Sequence, residues 1–227
     1  KALTKAGHEV TLFNRGKTNP HFFPNLKKIK GDREKGLAGY ENLKKSDTKW
    51  DWVIDVWPWQ PQLVKESIEV LKDKTTGYAF ISSIATYRNF LKPGIDETAP
   101  RREGDETEEM YYNLGKTLCE KAIENHFPNA HIILRPGAIV GDRDPGPFTN
   151  HILKRFQERK AIIEPDANDP VQFIDVKDVA CFLNQTIKSE TYGSFNLVGP
   201  KTTLGYKDLI LNIKKATNSQ VEIHWAD

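Results

Sequence analysis

Short apolar runs alternate with stretches of helical spacing along this chain, and that alternation predicts most of its architecture. Glu9-Val10-Thr11-Leu12-Phe13, Trp52-Val53-Ile54-Asp55-Val56, Tyr78-Ala79-Phe80-Ile81-Ser82 and His131-Ile132-Ile133-Leu134 are each bounded by turn or charged residues, as buried strands are. Lys28-Ile29-Lys30 reads as one more strand. Between the runs, Pro61 to Lys72 brings Leu63, Ile68, Val70 and Leu71 to helical spacing, and Tyr112 to Asn125 does the same with Leu114, Leu118, Cys119 and Ala122. Strand alternating with helix predicts an α/β fold, a Rossmann-like doubly wound parallel sheet with helices on both faces. Ligands of such a sheet bind outside the carboxyl ends of its strands, so the residues that follow each strand carry the functional information.

Lys1 to Gly7 reads as the last turns of a helix closed by Gly7, with a strand directly after it. A dinucleotide-binding sheet would set a first strand and a glycine-rich phosphate loop before such a helix. No G-x-G-x-x-G or G-x-x-G-x-x-G string occurs in the sequence. The expected sheet therefore lacks its first strand and Gly-rich loop, and Val221 to Asp227 begins another ordered segment at the far end, so the chain reads as truncated at both ends. The predicted division is a dinucleotide-binding domain over 1–137 and a small substrate lobe over 138–227, with 171–187 returning to the first domain. Pro93 to Glu109 is a long polar loop.

Composition narrows the class. Of 227 residues, 38% are apolar and 28% charged, enough for a packed core and too apolar for disorder. Thirty-three Lys and Arg against 31 Asp and Glu leave a net charge of +2, so no strong field draws the chain to nucleic acid or a membrane surface. No apolar run nears the roughly 18 residues that span a bilayer, and no secretory leader opens the chain, so a cytoplasmic protein is expected. Cys119 and Cys181 read as reduced core thiols. The six His residues are scattered without metal-ligand spacing, so no metal is expected.

The candidate chemistry lies at two strand-to-helix junctions. In Tyr112-Asn113-Leu114-Gly115-Lys116 the phenol and the amine are four apart, on one face of a helix, where an ammonium stabilises a phenolate and makes a usable acid/base. Tyr40-Glu41-Asn42-Leu43-Lys44 repeats the spacing. With no serine-bearing strand end before it and with Lys45, Asp47 and Lys49 around it, Tyr40 reads as a surface residue. Ile81-Ser82-Ser83 brings two hydroxyls to a strand's carboxyl end, where they either meet a bound carbonyl or merely terminate the strand.

Ser83-Ile84-Ala85-Thr86-Tyr87, Tyr112-x-x-x-Lys116, Leu134-Arg135-Pro136-Gly137-Ala138-Ile139-Val140-Gly141 and Val171-Gln172-Phe173-Ile174-Asp175-Val176-Lys177-Asp178-Val179-Ala180 together resemble, in order and spacing, the extended short-chain dehydrogenase/reductase or NAD-dependent epimerase/dehydratase family. The resemblance covers nearly the whole chain. It implies hydride transfer between a nicotinamide cofactor and a small-molecule substrate. Tyr112 would exchange the proton, Ser83 would hold the substrate oxygen, and Lys116 would bind the nicotinamide ribose. Pro136 and Gly137 would pass beside the ring. Ala138 stands where nucleotide-sugar epimerases usually have Asn, which argues against a nucleotide sugar.

The same resemblance guides the choice of cofactor. After Phe13 come Asn14, Arg15, Gly16 and Lys17, with no carboxylate to repel a 2′-phosphate and two cations to hold one, so NADP is expected over NAD. Asp32 and Arg33 resemble the segment that meets the adenine, and Trp57 lies beside the expected cofactor path. Tyr87 and Arg143 are candidate substrate contacts. The alternative on the same scaffold is a non-catalytic protein that senses NADP or binds RNA, with Lys27, Lys28 and Lys30 as its basic strip. Oligomeric state is open, a homodimer included.

Overall fold

A computed structural model of the chain describes residues 1–56, 59–105, 111–142, 144 and 147–226, with 147–151 as backbone alone. Its helices are α1 (Ala2–Lys5), α2 (Glu41–Lys44), α3 (Pro61–Leu71), α4 (Tyr112–His126), α5 (Pro147–Glu158), α6 (Val176–Lys188) and α7 (Tyr206–Ala216). Its strands are β1 (Thr11–Asn14), β2 (Lys27–Lys30), β3 (Trp50–Asp55), β4 (Thr75–Ile81), β5 (His131–Pro136), β6 (Ala138–Val140), β7 (Ala161–Pro165), β8 (Phe173–Asp175), β9 (Gly193–Leu197) and β10 (Glu222–Ala226). Two 3₁₀ stretches, Arg33–Tyr40 and Ile84–Thr86, follow β2 and β4. The pairs β1–β2, β3–β4, β4–β5, β6–β8 and β7–β10 are all parallel, and the architecture is Rossmann-like α/β.

The chain divides into two compact units, Lys1–Arg135 with Ala180–Asn196, and Pro136–Val179 with Leu197–Asp227. In the first, a four-stranded sheet runs in the order β3-β4-β5-β9. Its central strand β4 buries Tyr78, Ala79 and Phe80 completely, which is why its sequence is a continuous apolar run rather than an alternation. Proline suits the first position of α3, where no intrahelical N–H is needed. Val64 and Ile68 of α3 then pack with Cys119, Ala122 and Ile123 of α4 over Tyr78 and Phe80. Each fully buried aliphatic side chain contributes about 1.5–3 kcal/mol.

The β1–β2 pair is hydrogen-bonded apart from that sheet. It is anchored by Phe13 and Ile29 packing on a buried cluster of Tyr40, Leu43 and Leu71. Tyr40 is thus 1% exposed and stacked on Phe13 with ring centroids 5.2 Å apart, which overturns its expected surface position. The polar neighbours that suggested a surface are on α2 and beyond, while the ring itself turns inward. Neither cysteine is in a disulfide; Cys119 is buried as expected, but Cys181, on α6, is exposed.

In the second unit, Ile152, Phe156, Ile162, Ile210 and Val221 form the core, with Tyr206, Ile213, Ile223 and Trp225 packed against them. Glu164, 2% exposed, pairs with Arg155 at 2.7 Å and accepts the Tyr206 hydroxyl at 2.8 Å. Burial first, and then this carboxylate, push the Tyr206 phenol up to about 12.

Candidate active site

β4 ends at Ile81 and delivers Ser82 and Ser83. Ser82 is 3% exposed and its hydroxyl donates to Glu120 at 2.5 Å, so it serves the interior. Ser83 caps the Ile84–Thr86 turn, its Oγ accepting the Ala85 N–H at 3.1 Å. A serine that accepts a cap hydrogen bond retains its own O–H as a donor. One residue of the pair therefore terminates the strand, and the other combines a cap with a donor at the strand's rim.

Tyr112 opens α4 and is 48% exposed. One turn on, Lys116 is 4% exposed, and its Nζ donates to the Ile81 carbonyl at 2.6 Å. The ammonium lies 5.8 Å from the Tyr112 ring centroid and 4.5 Å from that of Phe80. Burial lowers the Lys116 pKa, while Cys119, Asp55 and Glu120 nearby act in the opposite direction. A single cation thus joins the tyrosine-bearing helix face to the strand end that carries Ser83. Gly115, the residue before Lys116, lets the Trp59 backbone lie against α4, since a Cβ there would stand 2.1 Å from the Trp59 carbonyl oxygen. Trp59, one of the two indoles expected beside the cofactor path, thus packs its backbone against α4 at Gly115, a contact for which a glycine inside an otherwise good helix was the available signal.

Behind this set lies a buried polar network. The Glu120 carboxylate, wholly buried, accepts from Ser82, from Arg135 Nε and Nη2 at 3.1 and 2.9 Å, and from Arg101 Nη1 at 2.8 Å. Arg101 also forms a two-pronged pair with Glu124. Two carboxylates therefore balance two guanidiniums, which is the condition under which buried charge is tolerated. Tyr87, expected on the substrate side, belongs to this network: it is 1% exposed, accepts from Arg135 at 3.0 Å and donates to Asn196 at 2.7 Å.

A second candidate region follows β1 and β2. Arg15, Lys17, Lys30, Gly31, Asp32, Lys35, Gly39, Glu41 and Asn42 line an open cleft of about 360 Å³. Four cations face two carboxylates there, a balance suited to an anionic ligand. The Asn14 side chain accepts the Gly16 N–H at 2.8 Å and shapes the turn that presents Arg15. Arg15 is half-exposed and 3.4 Å from Glu34. Asp32 caps the following 3₁₀ stretch by accepting the Glu34 N–H. Gly39 is required by packing, since a Cβ there would sit 1.8 Å from the Asp32 carbonyl oxygen.

Arg33 is not among the cleft residues. Its guanidinium donates to both oxygens of Asp55 at 2.8 and 2.9 Å, to the Leu63 carbonyl at 2.9 Å and, through Nε, to Tyr40 at 2.8 Å. Burial opposes its charge, but the Asp55 hydrogen bonds and charge outweigh it and raise the pKa. Tyr78 adds a hydroxyl to Asp55 at 2.7 Å. The structure therefore brings Arg15, Lys17 and Asp32 together and commits Arg33 to the interior. Lys30 on β2, Lys35 in the 3₁₀ stretch and Asn42 on α2 also line the cleft, though none of them was assigned to the cofactor.

Pro136 and Gly137 begin the second unit, where the Gly137 N–H donates to the Leu197 carbonyl at 3.2 Å. Trp57 and Arg143 lie outside the described residues. Among the described residues, no three His, Cys, Asp or Glu side chains are grouped to hold a metal, and no helix is long and apolar enough to cross a membrane.

No protein-family model matches the chain. A curated relative, the chloroplast stem-loop binding protein of 41 kDa b of Arabidopsis thaliana, is 26% identical over 220 residues, covering 88% of this chain. The chain spans only 55% of that relative's length. Solved structures extend the comparison. UDP-N-acetylglucosamine 4-epimerase from Bacillus cereus superposes with a TM-score of 0.73, at 14% identity over 99% of this chain and 83% of that one. The fold is that of such epimerases. The Bordetella bronchiseptica enzyme WbmH, in complex with NAD+, gives 0.70 at 16% identity over 99% and 79% of the two chains. A dTDP-4-dehydrorhamnose reductase from Bacillus anthracis, in complex with NADP, gives 0.67 at 13% over 96% and 83%. An epimerase, an enzyme solved with NAD+ and a reductase solved with NADP therefore share this architecture.

Proposed function

We propose that this chain belongs to an NAD(P)-dependent oxidoreductase or epimerase of the extended short-chain dehydrogenase/reductase type, acting on a small molecule. The observation that carries this is the position of the Lys116 ammonium, between the Tyr112 ring and the end of β4 that bears Ser83. On this reading the three groups would face one substrate oxygen at the sheet's rim, as an acid/base centre requires. Tyr112 exchanges a proton with the substrate oxygen, Ser83 donates a hydrogen bond to that oxygen, and Lys116 stabilises the phenolate electrostatically. When bound, the nicotinamide cofactor supplies the hydride chemistry.

The basic cleft fits the adenosine end of such a cofactor. Arg15 and Lys17 would hold a 2′-phosphate, which favours NADP, and Asp32 would meet the adenine. Lys116 would hold the nicotinamide ribose. Ala138 favours a substrate other than a nucleotide sugar. A second reading, supported by the name of the curated relative, is a scaffold that binds structured RNA through Lys27, Lys28 and Lys30, all exposed on β2. Titration of the full-length protein with NADPH and with NADH by indole fluorescence, beside a gel shift with a stem-loop RNA at two salt concentrations, separates the two. Saturable NADPH binding without RNA retention supports the enzyme; salt-sensitive RNA binding without cofactor binding supports the scaffold.

A further inference from the structure

The three lysines of β2 are held differently. Lys27 donates to the Thr48 hydroxyl at 2.7 Å and Lys28 to the Pro20 carbonyl at 2.9 Å. Lys30, the last residue of the strand, is exposed, and among the described residues its ammonium meets no acceptor. It lines the basic cleft instead. An ammonium in a concave site without a counter-ion is open to an anionic ligand, with no ion pair to break first. Arg15 is in the opposite position, since it faces Glu34 at 3.4 Å.

The backbone fixes where Lys30 reaches. In the parallel register of β1 and β2 it pairs with Asn14, the residue that opens the turn presenting Arg15 and Lys17. Gly16, at φ 67°, sits in that turn. The Lys30 Cε lies 3.3 Å from where a Gly16 Cβ would stand, with Cγ and Cδ at 3.8 Å. The lysine stem therefore crosses the turn and carries its ammonium into the cleft that Arg15 and Lys17 also line. The main chain on both sides is pinned: the Lys30 carbonyl accepts the Asn42 side-chain amide at 2.9 Å, and the Gly31 N–H donates to the Asn14 carbonyl at 3.1 Å. The carboxylates of the cleft are engaged elsewhere, Glu41 with Lys44 at 3.4 Å and Asp32 with the Glu34 N–H. A phosphate is the dianion that such a set of cations suits.

We propose that Lys30 selects NADP over NAD by holding the 2′-phosphate from the neighbouring strand, together with Arg15 and Lys17. This rests on the cofactor reading proposed above and adds a determinant outside the β1 turn. The test titrates full-length protein with adenosine 2′,5′-bisphosphate, its 3′,5′ isomer and adenosine 5′-monophosphate by calorimetry, with NADPH titrated in parallel. The 2′,5′ form is expected to bind about tenfold or more tightly than either of the others. Lys30→Gln should erase most of that difference, and Lys30→Arg should keep it. Lys45→Gln, which removes the same charge from an exposed position outside the cleft, should leave it intact. No preference for the 2′,5′ form in the wild-type protein, a preference that survives Lys30→Gln, or one lost equally in Lys45→Gln overturns the assignment. A Lys30-dependent preference in a protein that does not bind NADPH keeps the phosphate site and removes the nicotinamide function. NADPH binding that Lys30→Gln leaves unchanged does the reverse, so the two failures are distinct.

Discussion

Lys116 donates to the Ile81 carbonyl at 2.6 Å, so the ammonium one turn beyond Tyr112 is anchored on the last residue of the strand that leads into Ser83. The anchor fixes the cation without neutralising it. It also holds the cation 5.8 Å from the Tyr112 ring centroid.

Tyr112→Phe should reduce NADPH-dependent turnover by about 10²–10⁴-fold, the range of a lost general acid. The ring is half-exposed, so the melting temperature should hardly change, with a stability effect within about 0.5 kcal/mol. Wild-type turnover in a folded Tyr112→Phe protein would exclude the assigned role.

Arg15→Ala and Lys17→Ala should each weaken NADPH binding, about tenfold for the arginine, and leave NADH binding almost unaffected. Fluorescence titration of both cofactors checks this. Equal losses for the two would mean that the cleft does not read a 2′-phosphate.

Asp55→Ala should destabilise the fold by about 3–5 kcal/mol, because it leaves the largely buried Arg33 guanidinium with neutral acceptors only and no counter-charge. Combining it with Arg33→Met should recover part of that loss, since removing both charges leaves none unpaired. Urea melts of the single and double variants measure the coupling.

Gly115→Ala reverses the usual rule. Alanine in a helix interior ordinarily stabilises by about 1 kcal/mol relative to glycine. Here its methyl would meet the Trp59 carbonyl oxygen at 2.1 Å, so the substitution should destabilise by about 1–3 kcal/mol and displace Lys116. A raised melting temperature would contradict the packing described.

Burial pushes the Cys119 thiol from 9.0 up to about 12. Between these values the unfolded chain ionises the thiol while the folded chain keeps it protonated. The folded state then holds more protons, so this group's contribution to stability falls as pH rises. Relative to Cys119→Ala, the wild-type protein should lose about 1.4 kcal/mol per pH unit above pH 9. Parallel stability-versus-pH curves for the two proteins would refute the shift.

Legibility in the sequence followed range. Tyr112 and Lys116 could be paired by number because a helix brings positions four apart onto one face wherever it forms. β3, β4 and β5 were visible as apolar runs because a strand covered on both faces must be apolar throughout, whereas β9, Gly-Ser-Phe-Asn-Leu, carried no such run and was not read as a strand. Tyr40, with the same spacing to Lys44, could not be separated from Tyr112 on local pattern alone. Arg33 was assigned to the cofactor by the resemblance of its segment to one that meets the adenine, yet Asp55, twenty-two residues on, holds its guanidinium in the interior.

What the sequence by itself determined was therefore the alternation of strand and helix, the Tyr112–Lys116 face and the serines at the end of β4, each set by backbone periodicity within a few residues. The burial of Tyr40, the Glu120 hub shared by Arg101 and Arg135, and the convergence of Lys30 and Lys35 with Arg15 were decided only in three dimensions. Those contacts depend on which strands pair and which faces exclude water, and both are set by the free energy of the whole packed chain rather than by any local segment.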